Sequence, residues 1–280
     1  MHSYVIADVF TTTPLEGNQV AVFTDGHELS AETMQRTARE MNLSETVFVL
    51  PGDEQVDATI RIFTPYAELP FAGHPTLGTA FVLGAADGAS IIRLRTAAGV
   101  VPVTLTRNRD EIVFGEMEQP IPQLEPFAYT DELLAGLGVE RSELPVEAYS
   151  NGPLFVYVML DSDDAVAALT PDMRALGRLG HEGGVSVFAG TGSRYKVRMF
   201  APALGVIEDP ATGSAAGPLA VHLARHGRIE FGRQIEIRQG AEILRPSLLH
   251  ARAEGSSERI ERVLVGGAAV VVARGEYRLP

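Results

Sequence analysis

The sequence contains an internal repeat in which Glu45, a carboxylic acid, has a counterpart that is not an acid. Phe48 and Phe188 align the two halves of the chain at an offset of 140 residues, so that Glu45 corresponds to Val185, which cannot ionise. A carboxyl group in a partly apolar cleft has a raised pKa and can accept and return a proton near neutral pH. The pattern predicts a proton-transfer site with one acid; a glutamate at the surface or at a helix end is the alternative.

Two further polar residues, His74 and Ser214, hold matching places just inside two predicted helices, each directly after a glycine, Gly73 or Gly213. Helix N-termini offer unpaired amides and a partial positive charge, and glycine lets a ligand approach the backbone. Such a pair suits a carboxylate, so an acidic protein can hold an acidic substrate without a lysine cluster. Ordinary capping turns are the alternative.

A second acidic pair, Glu208 and Asp209, precedes the later of these helices. Asp209 lies nearer the Gly213 turn, so we expect it to face the cleft and to bind an amine or hydroxyl of the substrate. An acid at this position can also favour the helix dipole without any catalytic duty.

Strands and helices that would position these residues follow from periodicity and caps. Ser30 is an N-cap type residue before the helical spacing of Met34, Ala38 and Met41. Runs rich in β-branched and aromatic residues predict strands. The predicted helices are 31–41, 73–83 and 215–225, and the predicted strands are 4–10, 20–23, 46–50, 59–63, 91–95, 100–106 and 111–114.

The second half of the chain repeats this plan, which indicates a duplicated unit. Ser30 and Thr170, taken as the two helix caps, differ by 140, and so do Gly73 and Gly213. Prolines after residue 118 are typical of a linker. We therefore predict a domain at 1–118, a second at 119–262, and strands at 263–280 that return to the first.

Composition limits the classes of function. A chain of 280 residues with 45% apolar and 21% charged residues can bury a sizeable core. The net charge of -13 disfavours nucleic acid and anionic membranes as partners. Neither a membrane span nor a signal peptide is recognisable, so we expect a cytoplasmic protein. With 0 cysteines there is no thiolate metal site and no thiol acid or base.

Competing motifs point elsewhere only weakly. His222 and His226 have a spacing that can bind zinc, but no third ligand suggests itself in the sequence. The pair Gly183 and Gly184 and the run 190–192 lack a full nucleotide-binding pattern, so turns are the simpler interpretation. We therefore expect neither a metal nor an organic cofactor.

Several of these segments resemble the phenazine biosynthesis PhzF family, whose fold is that of diaminopimelate epimerase. The match runs nearly end to end. Its general motifs are EMNLSE at 40–45, ELPFAGHP at 68–75 and EDPATGSAAG at 208–217. Further matching stretches are PLEGN at 14–18, RMF at 198–200, 218–232, QG at 239–240 and RPS at 245–247.

The resemblance implies an α+β fold of two pseudo-symmetric domains, each a β-barrel-like sheet around a central helix, with the active site between them and a homodimer as the assembly. It implies isomerisation of trans-2,3-dihydro-3-hydroxyanthranilate, in which a proton leaves C3 and one is delivered at C1. It assigns the proton shuttle to Glu45. It makes His74, Asp209 and Ser214 orienting groups and proton relays, and it has Gly73 and Gly213 lend backbone amides.

Two other classes of function stay open. An epimerase on this fold that uses a pair of cysteines is disfavoured by their absence, but another isomerase or epimerase of the family could act on a different small amino or carboxylic acid. A non-catalytic binding protein is the alternative of another class. The joint presence of Glu45, His74, Asp209 and Ser214 argues for an enzyme, and lack of turnover on any cyclohexadiene amino acid would argue for the binding protein.

Overall fold

The α+β fold of the chain is seen in a computed structural model that describes residues 1–179 and 183–279. Its helices are α1 (Ala31–Met41), α2 (Gly73–Asp87), α3 (Thr130–Leu137), α4 (Asp163–Ala167), α5 (Met173–Gly177) and α6 (Gly213–Arg225), with single 3-10 turns at Pro202–Leu204 and Ala241–Ile243. Its strands are β1 (His2–Val9), β2 (Asn18–Phe23), β3 (Glu45–Pro51), β4 (Ala58–Phe63), β5 (Glu68–Leu69), β6 (Ile91–Thr96), β7 (Gly99–Asn108), β8 (Glu111–Gln119), β9 (Gln123–Glu125), β10 (Glu147–Ser150), β11 (Leu154–Met159), β12 (Gly183–Thr191), β13 (Arg194–Ala201), β14 (Val206–Asp209), β15 (Ile235–Gln239), β16 (Ser247–Gly255), β17 (Ile260–Gly267) and β18 (Ala269–Tyr277).

Two halves of similar topology make up the fold, as the repeat predicts. In the first half β2 and β3 pair in parallel, β3 and β4 antiparallel, and β4 and β6 in parallel. The second half repeats this sequence of pairings with β11, β12, β13 and β15. In the described part of the chain one continuous sheet curves around a helix in each half: α2 packs against β1, β2, β3, β6, β7, β8 and β18, and α6 packs against β10, β16 and β17.

The two central helices are buried because they are apolar or small-sided on every face. Each of the residues from Gly213 to Ala224 in α6 is buried, and α2 is buried from Gly73 to Val82. A helix buried on all sides is expected inside a closed sheet rather than on its surface. Both helices begin at the glycines that the sequence singles out, so their first turns lie at corresponding places in the two halves.

The first peripheral helix is confirmed at its predicted ends, whereas its counterpart in the second half is not. Ser30 caps α1 by accepting a bond from the Thr33 amide at 3.2 Å. Thr170 is not the N-cap of a helix, so that prediction is wrong. Two five-residue helices occupy the corresponding region, and Asp172, which accepts from two amides of the first turn, is the N-cap of α5. A carboxylate caps as well as a hydroxyl, and the repeat offset cannot distinguish the two.

The strand register corrects the alignment of Glu45 with Val185 by one residue. The sequences RIF at 61–63 and RMF at 198–200 correspond in the two halves, and their last residues, Phe63 and Phe200, pair with Thr46 and Val185 respectively. Glu45 therefore corresponds to residue 184, a glycine. Because a shift of one residue turns a side chain to the other face of a sheet, Val185 packs into an outer cluster on the side of α4 and α5 instead. The inference that only one half brings an acid to this position is unaffected.

Three other expectations concern glycines and chain ends. Gly183 and Gly184 begin β12 and are not in a turn, so that interpretation is wrong. The last strand, β18, pairs antiparallel with β1 along its length, and β17 pairs with β8. The domain boundaries themselves stay predictions, and Pro280, which ends the third predicted segment, lies outside the described residues.

None of the helices in 1–179 and 183–279 is long and apolar enough to cross a membrane.

Candidate active site

All six residues that the sequence predicts for the site line one cavity. Side chains from both halves enclose it, and it contains about 70 Å³ of water-accessible space. This space is several times the minimum of about 10–15 Å³ that one buried water needs. The six predicted residues in its wall are Glu45, Gly73, His74, Asp209, Gly213 and Ser214.

The N-termini of α2 and α6 meet at one end of this cavity. A Cβ atom added to Gly73 would lie 2.5 Å from the Ser214 backbone nitrogen, so only glycine permits this approach. Neither N-cap residue, Ala72 or Thr212, accepts a side-chain hydrogen bond from its helix, and neither first turn carries an acid. Two uncapped positive helix ends side by side form a binding site suited to a carboxylate.

Glu45, the first residue of β3, projects into the cavity with its side chain 16% exposed. Its Oε2 atom lies 3.3 Å from His74 Nε2. That oxygen is buried and accepts no hydrogen bond from any residue that the structure describes. Burial raises the pKa of Glu45 well above its ordinary value, and the neighbouring Asp209 carboxylate raises this pKa further.

His74 is buried and uncharged. Its Nε2 atom lies 3.2 Å from the Gln19 backbone carbonyl, which can only accept, so Nε2 carries the ring proton and Nδ1 is free of it. Burial lowers the pKa of His74 to about 3, against the opposing effect of that hydrogen bond. The short approach to Glu45 is therefore a contact between a carboxyl group and a neutral imidazole, not an ion pair.

Asp209 ends β14 on the opposite wall, where three side chains organise it. Asn18 Nδ2 donates to Asp209 Oδ1 at 2.9 Å, and Thr212 Oγ1 donates to Oδ2 at 2.6 Å. Gln239 Nε2 in turn donates to the Asp209 carbonyl and to Thr212 Oγ1. Burial raises the pKa of Asp209 above its ordinary value, although the hydrogen bonds from Thr212 and Asn18 oppose this rise. Asp209 is thus a firmly positioned acceptor for a substrate amine or hydroxyl.

Two buried amide side chains hold the first turn of α6, in which Ser214 lies. Gln119 Nε2 donates to the Gly213 carbonyl at 2.8 Å, and Asn151 Nδ2 donates to the Ser214 carbonyl at 2.9 Å. Gln119 was expected in a linker, but it ends β8 and is only 3% exposed. The prolines that indicated the linker follow this strand directly, so Gln119 belongs to the strand and supports the site.

Sequence reasoning assigned no function to the amides and the hydroxyl that support the site. Asn18 and Gln239 lie in stretches that carry the family resemblance, and Thr212 lies inside the EDPATGSAAG motif. Their presence in those stretches was the available signal. Asn151 carries no such signal in a single sequence, since it lies in a short loop between β10 and β11.

A second polar cluster brings a third side chain of a metal-ligand type, Glu147, to His222 and His226. Glu147 Oε2 lies 3.1 Å from both His222 Nδ1 and His226 Nε2, so that part of the sequence interpretation is wrong. The same oxygen also accepts from Tyr149 and from Arg225, at 2.5 and 3.2 Å. The positive guanidinium group of Arg225 at this oxygen would repel a bound cation. The cluster is instead a carboxylate that accepts hydrogen bonds from several donors. None of the five residues lines the cavity of Glu45.

Comparison with known proteins gives the same class as the fold and the site, that of two-domain isomerases. The family model for PhzC-PhzF, described as phenazine biosynthesis-like protein, matches residues 7–275. The chain therefore belongs to this family.

Relatives and solved structures extend this finding over the whole chain. The trans-2,3-dihydro-3-hydroxyanthranilate isomerase of Pseudomonas chlororaphis is 55% identical over 275 residues, which are 98% of this chain and 99% of that protein. The enzyme of the same name from Pseudomonas aeruginosa is 54% identical and is covered completely, as is this chain. The crystal structure of a PhzF-family phenazine biosynthesis protein from Bacillus anthracis superposes with a TM-score of 0.86 at 26% identity, covering 99% of both chains.

Proposed function

We propose that the chain isomerises trans-2,3-dihydro-3-hydroxyanthranilate, with Glu45 as the acid and base that moves the proton. The observation that carries this proposal is the Glu45 carboxyl group, which faces the cavity with an oxygen free of hydrogen bonds among the described residues. The curated relatives that are 54% and 55% identical bear this activity in their names, and the two sequences cover nearly the whole chain. The substrate is small, carries a carboxylate and an amine, and suits the two walls of the cavity.

Binding would use the two walls of the cavity for different groups of the substrate. The substrate carboxylate lies at the N-termini of α2 and α6, where Gly73 and Gly213 present backbone amides and Ser214 offers its hydroxyl. The substrate amine lies at Asp209 on the opposite wall. These two contacts would fix the ring with C3 and C1 within reach of Glu45.

Proton transfer then proceeds through Glu45. Its ionised carboxylate removes the proton from C3, the diene electrons shift around the ring, and the protonated carboxyl delivers a proton to C1. The C3–H bond is exchanged for a C1–H bond with no net change of oxidation state. The enol left at the hydroxyl-bearing C3 then becomes a ketone, so the product is an aminoketone. The neutral ring of His74, whose Nε2 lies 3.3 Å from Glu45 Oε2, packs against the carboxyl group and so orients it.

Turnover by the purified protein tests the proposal. We expect the substrate to be consumed and an aminoketone isomer of the same mass to appear, as followed by ultraviolet absorbance, NMR and mass spectrometry. Conversion of other small amino or carboxylic acids but not of this one would favour another isomerase of the family. Binding without conversion of any of them would favour a binding protein.

Assembly and location are the remaining parts of the proposal. We propose a homodimer in the cytoplasm, without nucleic acid or membrane partners, as the resemblance and the net charge of -13 suggest. Sedimentation equilibrium should give twice the chain mass of 30.0 kDa. Cell fractionation should recover the protein with the cytoplasmic fraction.

A further inference from the structure

Two acids face each other across the candidate active site, and the hydrogen bonds around them are unequal. Both Asp209 oxygens accept a hydrogen bond, whereas Glu45 Oε2 accepts none among the described residues. Ionising two neighbouring buried carboxyl groups at once costs free energy, so one of the two keeps its proton. The positions of the donors decide which acid holds it.

The direction of each hydrogen bond to Asp209 is fixed by a further partner. Gln239 Nε2 donates to Thr212 Oγ1 at 3.0 Å, which leaves the Thr212 proton to point at Asp209 Oδ2. Gln239 cannot be rotated, because its Nε2 also donates to the Asp209 carbonyl and its Oε1 accepts from the Thr212 amide. Thr212 is therefore obliged to donate to the carboxyl group.

The second oxygen of Asp209 is constrained in the same way. Asn18 is completely buried, and its Nδ2 donates both to Asp209 Oδ1 and to the Ala211 carbonyl, each at 2.9 Å. A carbonyl can only accept, so the amide group cannot turn its oxygen towards Asp209. Both carboxyl oxygens are consequently acceptors of fixed donors, which is the arrangement of an ionised carboxylate.

The other titratable groups nearby do not change this assignment. His74 of α2 is neutral and directs its Nε2 proton to the Gln19 carbonyl. Glu208, beside Asp209, is held by two hydrogen bonds from Arg198, at 3.0 and 2.8 Å. Burial and the nearby Asp209 carboxylate both raise the pKa of Glu45. Burial and the charge of Glu208 also raise the pKa of Asp209, but there the hydrogen bonds from Thr212 and Asn18 oppose the rise, and Glu45 Oε2 has no such donor among the described residues.

We infer that Asn18, Thr212 and Gln239 are positioning residues which keep Asp209 ionised, so that Glu45 holds the proton in the unliganded enzyme. Its consequence for catalysis, in contrast, rests on the proposed function. A protonated amine that binds Asp209 neutralises the charge that holds the proton on Glu45. The amino group of the correct substrate thus releases the Glu45 proton to solvent and generates the base, whereas a ligand without an amine leaves Glu45 protonated and inactive.

Infrared spectroscopy of the unliganded protein tests where the proton is. Protein labelled with 13C in the glutamate carboxyls is compared with protein labelled in the aspartate carboxyls, both near pH 7. We expect a carboxylic-acid band that shifts with the glutamate label only and that is absent from Glu45→Gln. A band that shifts with the aspartate label, or no carboxylic-acid band at all, would overturn the inference. Because no substrate is present, this result is independent of whether the proposed reaction occurs.

A matched pair of variants tests the positioning role. Thr212→Val keeps the shape but removes the donor, and Thr212→Ser retains it. Hydrogen bonds to charged groups contribute enough to change an equilibrium by about tenfold or more. We expect Thr212→Val to move part of the band to the aspartate label and to raise KM about tenfold, with Thr212→Ser close to wild type.

Thr79→Val is the control for burial of a hydroxyl, since Thr79 is buried and donates to the Pro75 carbonyl in α2. It should leave the band unchanged. An unchanged band in folded Thr212→Val would show that Thr212 does not set the proton position. If Thr212→Val does not fold, Asn18→Ala supplies the comparison, because it removes the donor to Asp209 Oδ1: part of the band must then shift to the aspartate label, and failure to do so contradicts the inference.

Discussion

Replacement of Gly73 by alanine should separate the two helix ends that bind the substrate carboxylate. The added Cβ would lie 2.5 Å from the Ser214 nitrogen and 2.6 Å from the Gly213 carbonyl carbon, whereas ordinary contact begins at 3.4 Å. Both neighbours are backbone atoms, so no side chain can move aside, and the helix ends must part by roughly 1 Å. A displacement of about 1 Å can cost about 10²-fold in rate, and overpacking destabilises by about 1–3 kcal/mol.

Steady-state kinetics with thermal unfolding as a companion measurement checks this expectation. We expect kcat/KM for Gly73→Ala to fall about 10²-fold while the protein remains folded. Gly177→Ala is the matched control, because its Cβ would meet only the Pro202 Cβ, at 3.8 Å, and its kinetics should equal those of wild type. Wild-type kinetics for folded Gly73→Ala would refute the argument that the two helix ends form the carboxylate site.

Three other outcomes follow from the structure. Ser214→Ala should weaken substrate binding or turnover, and a bulky residue there with no kinetic effect would place the carboxylate elsewhere. Exhaustive treatment with EDTA should leave the rate unchanged; loss of activity that zinc restores would contradict a metal-free reaction. Hydrogen bonds from His222, and then from Tyr149 and His226, hold the pKa of Glu147 in the folded protein below its ordinary value near 4.5. The ionised Glu147 therefore stabilises the fold above about pH 4.5, and this stabilisation is lost as the pH falls through the lower pKa of the folded state. The difference in Tm between wild type and Glu147→Gln should therefore shrink below about pH 4.5, and a constant difference would show that the charge of Glu147 is unimportant.

Local signals predicted the elements that carry the site. The caps and spacing gave α1 at its observed ends, and Gly73 gave the start of α2, whereas α6 begins at Gly213, two residues before the predicted start at 215. Because Gly73 and Gly213 mark equivalent helix ends, the repeat also predicted that the two would lie together. Four side chains proposed for the site, Glu45 among them, do line one cavity, although their catalytic roles stay predictions.

Register and long-range partners were beyond the sequence. An offset of 140 residues cannot detect the one-residue difference in strand pairing that places Val185 on the outer face. Asn18 meets Asp209 across 191 positions of the chain, and Glu147 meets His222 across 75. Such contacts depend on how strands from distant segments pair, and neither residue type nor local spacing encodes that.

Isomerisation by Glu45→Gln is the measurement that tests the central claim most directly. Glutamine retains the size of the side chain but cannot exchange a proton, and general acid and base catalysis typically contributes about 10²–10⁴-fold. The account predicts a loss of at least that order with ligand binding retained, while Glu40→Gln, at an exposed position of α1, keeps the wild-type rate. A nearly normal rate for Glu45→Gln would mean that another residue is the base, and the central claim would be contradicted.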